Sequence, residues 1–243
     1  MIMYEKFKKI LPLGLLKKYE SKIRAFIALL YVGKSFSCNL CDFKMSRFIV
    51  LKNQNKLCPK CGSLGRSRRL WSEISSDLDH KTVLHFSPPK RLSKKIKASN
   101  CKTYVTSDYA GEFKALKSLN IENIEEPNNT YDLIICYHIL EHINKDLKAM
   151  SELFRILKPG GKGYIQTPFK EGAIYENPDI TTPEDRLEHF GQDDHVRIYS
   201  AEGLIERLQS VGFYTELLSF KEEENNHYGF QTTEKIIVVT KPE

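Results

Sequence analysis

At 243 residues, 41% of them hydrophobic and 28% charged, the chain has room for one full-sized domain and a small appendage, with the composition of an ordinary soluble globular protein. No apolar run approaches the ~20 residues of a membrane span, and Phe26–Val32 starts too late, with no cleavage site behind it, to be a signal-peptide core; a cytoplasmic location is expected. The net charge of +6 conceals a polarity, because residues 1–103 hold 23 Lys/Arg against 6 Asp/Glu, whereas residues 104–243 hold 14 against 25. Either the basic half attracts an anionic partner (RNA, a phosphorylated metabolite or a lipid headgroup), or the two halves complement one another across an internal interface.

Residues 1–35 read as a basic helical arm. The first fourteen are broken by Pro12 and Gly14, after which Leu15, Leu16, Tyr19, Ile23, Phe26, Ile27 and Leu30 fall on one helical stripe, with Lys17, Lys18, Lys22 and Arg24 elsewhere around the axis. Such a helix can make peripheral contact with anionic lipid or pack on the main domain, and packing is the simpler expectation. Residues 36–70 form a second segment. Cys38 and Cys41, then Cys58 and Cys61, make two CxxC pairs separated by sixteen residues, a spacing that can bring four thiolates around one tetrahedral Zn²⁺, with a disulfide framework or a redox CxxC as the competing readings. Gly62 supplies the flexible position that such a knuckle turn wants. Four protein ligands leave no open coordination position, so this metal is expected to hold the fold. The stretch that follows carries Arg66, Arg68, Arg69 and the single tryptophan, Trp71; it suits either nucleic acid or phosphate, or a helix joining the knuckle to the main domain.

From residue 71 to 243 the pattern is that of an α/β domain. Lys81–Phe86 and Lys102–Ser107 read as strands, the second delivering Asp108 at its end. Tyr131–Tyr137 is a continuous apolar run with one leading acid, the signature of a strand buried on both faces. His138, Glu141 and His142 then interrupt it. Leu147, Met150, Leu153, Phe154 and Leu157 give a helix that should stop at Pro159-Gly160-Gly161, and Tyr164–Thr167 begins another strand. This strand–helix–strand unit puts ionisable side chains at the carboxyl end of its first strand, where open α/β sheets bind ligands.

The segments YDLIICYHILEHI and ELFRILKPGGKGYIQTP, at this spacing, resemble the central part of class I S-adenosylmethionine (SAM)-dependent methyltransferases. The resemblance implies a doubly wound, mostly parallel seven-stranded Rossmann-like sheet, with SAM held along its carboxyl edge by His85, Phe86, Ser87, Asp108, Tyr109, Asn120, Ile121 and Tyr137. In the family the first strand ends in an acid and a glycine-rich loop; this chain departs from that with His85-Phe86-Ser87-Pro88-Pro89-Lys90, which has no glycine. A helix starting at the prolines would still offer free N–H groups to the methionine carboxylate, with Ser87 donating a hydrogen bond. Asp108 would accept the ribose hydroxyls, and Asn120 would accept from the adenine amino group through its carbonyl oxygen. The knuckle with CPxCGSLxRxRxLW ahead of such a domain is similar to a bacterial subgroup associated with small-molecule or surface-glycan modification.

His138, Glu141 and His142 have three candidate roles: a general base for the acceptor, ligands of an additional divalent metal, or braces for the loop. Some ubiquinone-pathway and small-RNA 2′-O-methyltransferases carry a similar ExxEH metal cluster, and this chain has His138 in place of the first Glu. Residues 169–199 form a long polar connection, a candidate lid. Within it His189, Asp193, Asp194, His195 and Arg197 stand out: His195 as a candidate catalytic base or as Asp194's partner in ordering the lid, Arg197 as a candidate clamp for an anionic acceptor. Ser200 caps a helix over 201–211 that Gly212 ends, and Phe213–Phe220 and Lys235–Thr240 finish as strands. The expected activity is methyl transfer to an oxygen or nitrogen of a small molecule or sugar intermediate. The alternatives are an RNA methyltransferase that uses the basic knuckle, and a non-catalytic zinc-bearing interaction protein.

Overall fold

The computed structural model describes residues 13–243, and side chains from residue 19 onward. The expected basic stretch before residue 13, and the side chains of Leu15, Leu16, Lys17 and Lys18, lie outside the described residues. The chain divides into two compact units: one of Met1–Ser76, Pro89–Ala98 and Lys221–Glu234, the other of Asp77–Pro88, Ser99–Phe220 and Lys235–Glu243. The first unit thus takes in residues 71–76, Pro89–Ala98 and Lys221–Glu234, three segments that the sequence assigns to the main domain.

In the first unit, helix α1 (Leu13–Leu29) leads to four short strands, β1 (Val32–Ser37), β2 (Lys44–Met45), β3 (Ile49–Val50) and β4 (Lys56–Leu57), then to helix α2 (Gly65–Ile74) and, after the excursion through the sheet, α3 (Lys90–Lys97). β1 pairs with β2 and β3 with β4, both antiparallel. The face of α1 that is buried carries Arg24, Ile27 and Ala28, while Phe26 and Leu30 of the expected apolar stripe are exposed. The two CxxC knuckles have matching backbones. The N–H groups of Asp42 and Gly62 bond the carbonyls of Cys38 and Cys58, at 2.8 and 2.9 Å. Both turn residues are left-handed, with φ of 56° and 74°, which explains the glycine at the second. Cys38 and Cys61 sulfurs lie 3.7 Å apart, and those of Cys41 and Cys58 3.8 Å. Disulfide sulfurs would sit about 2.05 Å apart.

Arg68, wholly buried, ties this unit together. Its Nε donates to the Tyr228 carbonyl (2.6 Å), Nη1 to the Ser63 carbonyl (2.5 Å) and hydroxyl (3.2 Å), and Nη2 to the carbonyls of Lys56 (2.8 Å) and Gly229 (2.7 Å). All five N–H donors are therefore used, which is what a buried guanidinium requires. Phe48 covers its flat face, 4.4 Å from ring centroid to Cζ.

The second unit is built on a six-stranded, mostly parallel sheet. Its strands are β5 (Thr82–Phe86), β6 (Thr103–Ser107), β7 (Tyr131–Tyr137), β8 (Leu157–Gln166), β11 (Tyr214–Phe220) and β12 (Glu234–Thr240), in the order β11-β12-β8-β7-β5-β6. β5 is parallel to β6 and β7, β7 is parallel to β8, and β12 runs antiparallel to β8. The leading acid of β7 has a structural use: Asp132 accepts from the Thr82 N–H (2.7 Å) and from Lys158 Nζ (2.9 Å), joining the starts of three neighbouring strands. Helices α4 (Asp146–Ile156) and α6 (Ala201–Ser210) bury Met150, Leu153, Leu204 and Leu208 in the core beside Ile134, Ile165 and Ile237. The Ser200 hydroxyl caps α6 by accepting from the Gly203 N–H.

Two expectations need correction. Among the described residues the sheet has six strands, because residues 108–130 form none: the N–H groups of Leu116 and Lys117 bond the Thr106 carbonyl and that of Leu119 bonds the Ser107 hydroxyl, so a loop lines β6 where a seventh strand would add. The helix α4 ends at Ile156, three residues before Pro159, and β8 begins at once at Leu157. The candidate lid carries short strands β9 (Tyr175–Glu176) and β10 (Arg197–Ile198), which pair, and helix α5 (Pro183–Phe190).

Glu234 in the first unit is 5% exposed, and burial pushes its carboxyl up from 4.5 to about 7 despite nearby Arg69 and Arg66. A carboxyl raised on folding contributes stability that is complete below the unfolded value and lost as pH rises through the folded one. Wild-type stability should therefore fall by about 3 kcal/mol between pH 4.5 and pH 8 through this group. Thermal melts should show Glu234→Gln more stable than wild type at pH 8 and equal to it at pH 4.5.

Candidate active site

A cavity of about 520 Å³ opens at the carboxyl ends of β5, β6 and β7, within the size range of small-molecule sites. All its lining residues belong to the second unit. One end is built by Phe86 and Ser87 at the end of β5, Ser107 and Asp108 at the end of β6, and Leu119–Glu122 from the following loop. The glycine-free turn works because Ser87 itself adopts a left-handed conformation, φ +44°, a strained position for a non-glycine residue. Its N–H bonds the Ser107 carbonyl at 2.7 Å and its hydroxyl donates to Asp108 Oδ1 at 2.8 Å. Asp108 Oδ2 accepts from the Phe113 N–H at 3.0 Å, so the carboxylate is fixed in place and keeps lone pairs for further donors. Ile121, 4% exposed, gives an apolar wall.

The other end is built by His138, Ile139, His142, Ile143 and Asp194. His138 leaves β7 with φ +55° and Leu140–His142 form a single 3₁₀ turn, so the two histidines are brought to the cavity by a strained bend. Glu141 is 1% exposed. Burial pushes its carboxyl up, but the hydrogen bond from His138 Nδ1 to Oε1 (3.2 Å) and the charge of His138 outweigh this and hold it below the usual range. The second oxygen, Oε2, is buried with no hydrogen-bond partner, as is His138 Nε2. His142 Nδ1 lies 3.1 Å from Asp194 Oδ2, and its ring meets the His195 ring edge-to-face at 4.7 Å. Burial, then the neighbouring His142, lowers the His195 pKa and keeps its imidazole neutral. One donor atom each from Glu141, His142 and His195 lie within 4.8 Å of one another. Two imidazoles and a carboxylate at that spacing form a donor set suited to a divalent transition-metal ion.

Of the residues singled out from sequence, Phe86, Ser87, Asp108, Tyr109, Asn120, Ile121, His138 and His142 line the cavity, with Glu141 and His195 packed behind His142. The Asn120 side-chain oxygen also accepts from the Glu122 N–H at 2.9 Å. His85 and Tyr137 do not line it. The His85 ring is fully buried against the Tyr104 hydroxyl (2.9 Å), and burial lowers its pKa to about 3. His189 bonds Tyr175, and Asp194 partners His142 in place of His195. The expected clamp Arg197 is a structural tie: 6% exposed, it donates from Nε to Glu176 (2.7 Å), from Nη1 to the carbonyls of Leu140 (3.3 Å) and Ile143, and from Nη2 to that of Asn144 (3.0 Å). Sequence reasoning missed Glu176, Asp146 and Arg207, which complete this network; its members lie dozens of residues apart, with no local signal. It also missed that the charged groups lining the cavity are Asp108, Glu112, Glu122 and Asp194, without any lysine or arginine.

A sequence model of the family described as "Methyltransferase domain" matches residues 69–218, more than half of the chain. A probable S-adenosylmethionine-dependent methyltransferase of Mycolicibacterium smegmatis is 31% identical over 97 residues, covering 40% of this chain and 34% of that protein. An uncharacterized protein of Methanocaldococcus jannaschii is 42% identical over 57 residues, covering 24% and 25%. The chain thus spans about a third or less of the length of these curated relatives. Among solved structures, a SAM-dependent methyltransferase from Archaeoglobus fulgidus aligns with TM-score 0.52 and 18% identity, over 72% of this chain and 93% of that one. The [4+2]-cyclase SpnF aligns with TM-score 0.53 and 14% identity, over 72% and 80%. These two likenesses establish the fold.

Replacing Arg197 by Met would remove a charged donor from Glu176, which keeps Arg207, and from the carbonyls of Leu140, Ile143 and Asn144. Loss of a buried, fully hydrogen-bonded charge costs on the order of 3 kcal/mol. Denaturant melts should show that loss in Arg197→Met, and no such loss would mean that the lid is not held by this residue.

Proposed function

We propose that this chain, a member of the methyltransferase-domain family, is a SAM-dependent methyltransferase that methylates a hydroxyl of an uncharged small-molecule or sugar acceptor. SAM would occupy the cavity with its ribose on Asp108 and its adenine against Ile121. The observation that carries the reading is the buried Glu141 Oε2, which has no hydrogen-bond partner while His142 and His195 stand beside it. An acid kept ionised in that position needs a cation or a donor from a ligand. A divalent ion held by Glu141, His142 and His195 would lower the pKa of the acceptor hydroxyl. His138, oriented through Nδ1 by Glu141, would present Nε2 to take the proton. The carboxylate-lined wall favours an uncharged acceptor over RNA or a phosphorylated one, since no cavity-lining lysine or arginine would meet a phosphate.

Calorimetry and turnover separate the roles. Asp108→Ala should weaken SAM binding at least tenfold, about 1.4 kcal/mol. Glu141→Gln and His195→Ala should leave it within a few-fold while turnover with added Mn²⁺ falls by on the order of a hundredfold. Unchanged turnover in both variants would remove the cluster from the mechanism.

In the first unit, the sulfur spacing supports a structural Zn²⁺ on Cys38, Cys41, Cys58 and Cys61. Corners of a tetrahedron with Zn–S bonds of about 2.3 Å are about 3.8 Å apart, matching the 3.7 and 3.8 Å separations. Elemental analysis should find one zinc per chain, and chelation should lower the melting temperature; metal-free protein that melts unchanged would contradict the assignment.

A further inference from the structure

Among its described side chains, those of one face of helix α1 are buried in the fold and those of the other are not. Arg24, Ile27 and Ala28 are buried, and Arg24 Nε bonds Glu20, the sole acid of the helix, at 2.8 Å. On the opposite side Phe26 and Leu29 are 70% and 66% exposed, and just past the helix end Leu30 and Val32 are 63% and 62% exposed. Positions 26, 29 and 30 share one helical side, and Lys22 lies one turn earlier on it. Single exposed leucines are ordinary, but a contiguous group of large apolar side chains marks an interaction surface.

We propose that this face of α1 docks the protein on an anionic lipid bilayer, lying in the plane of the headgroups. Charge complementarity selects that occupant. Lys22, Lys34, Lys44 and Arg47 are all exposed on this unit, and Arg47 stacks over the Tyr31 ring at 5.2 Å. The sequence over residues 1–18 has the same composition, with Lys6, Lys8, Lys9, Lys17 and Lys18 against a single acid, Glu5, among apolar residues such as Phe7, Ile10 and Leu11. Apolar insertion combined with basic attraction is the pairing of signals that peripheral membrane binding needs. A second copy would bring like charges to face each other, and RNA would leave the phenyl and leucyl side chains uncovered. Among the described residues no helix is long and apolar enough to cross a membrane, so the helix would lie on the surface.

Co-sedimentation of the full chain with vesicles tests this. Wild type should partition at least tenfold more strongly onto phosphatidylcholine vesicles containing about 30% phosphatidylserine than onto phosphatidylcholine alone, and lose that preference in about 0.5 M NaCl. The triple variant Phe26→Ser, Leu29→Ser, Leu30→Ser alters only exposed positions. It should partition at least tenfold less while melting and binding S-adenosylhomocysteine as wild type does. The double variant Lys34→Gln, Arg47→Gln should show an intermediate loss. No binding to anionic vesicles in low salt, or equal binding by wild type and triple variant, would overturn the proposal. So would a wild-type dimer in light scattering that the triple variant dissolves, which would assign the face to a second copy.

Discussion

A carboxylate removed from water must be paired, and Glu141 is the point where this fold meets that requirement. Its position at the end of β7 follows from a strand whose seven residues are almost all buried, so that the chain can turn only at the sheet's carboxyl edge. One oxygen is bound by His138, and a carboxylate oxygen lies within 4.8 Å of ring nitrogens of His142 and His195. The backbone around it is also held: the Val196 N–H bonds the Glu141 carbonyl at 2.9 Å, and Arg197 gathers the carbonyls of Leu140, Ile143 and Asn144. The segment that brings His195 to the cluster is thus fastened to the loop that carries Glu141. Geometry at the His138 and His142 end of the cavity depends on this one buried acid.

At the Ser87 end of the cavity the constraint is conformational. A glycine would reach φ +44° without cost, whereas Ser87 reaches it under strain. Two hydrogen bonds, from its N–H to Ser107 and from its hydroxyl to Asp108, offset that strain. The hydroxyl that makes the turn possible also orients the carboxylate next to the cavity. Loss of the glycine therefore leaves an open, polar edge there, with Phe86 lining it and Pro88 outside it.

Legibility in the sequence followed the range of the interaction. β7 was readable because burial on both faces leaves a local apolar run, and the four cysteines because a knuckle is set by neighbours two to four residues apart. The His138, Glu141 and His142 cluster was visible as a polar break in that run, although its 3₁₀ geometry and the partnership with His195 were not. Arg197 was misread because its partners, Glu176 and the carbonyls of residues 140–144, are 21 to 57 positions away. The seventh strand was expected by resemblance, but residues 108–130 bond to β6 as a loop. The stripe drawn on α1 mixed two faces, since Ile27 and Phe26 are adjacent in sequence and opposite in burial.

The central claim is that Glu141, with His142 and His195, binds a cation at the reacting end of a cavity that seats SAM beside Ser87 and Asp108. A crystal grown with S-adenosylhomocysteine and Mn²⁺ tests it through the manganese anomalous signal. The account expects the nucleoside ribose on Asp108 and one anomalous peak within ligand distance of Glu141 and both imidazoles. A map with the nucleoside in place, no peak at that position and Glu141 Oε2 bonded to a protein donor would contradict it.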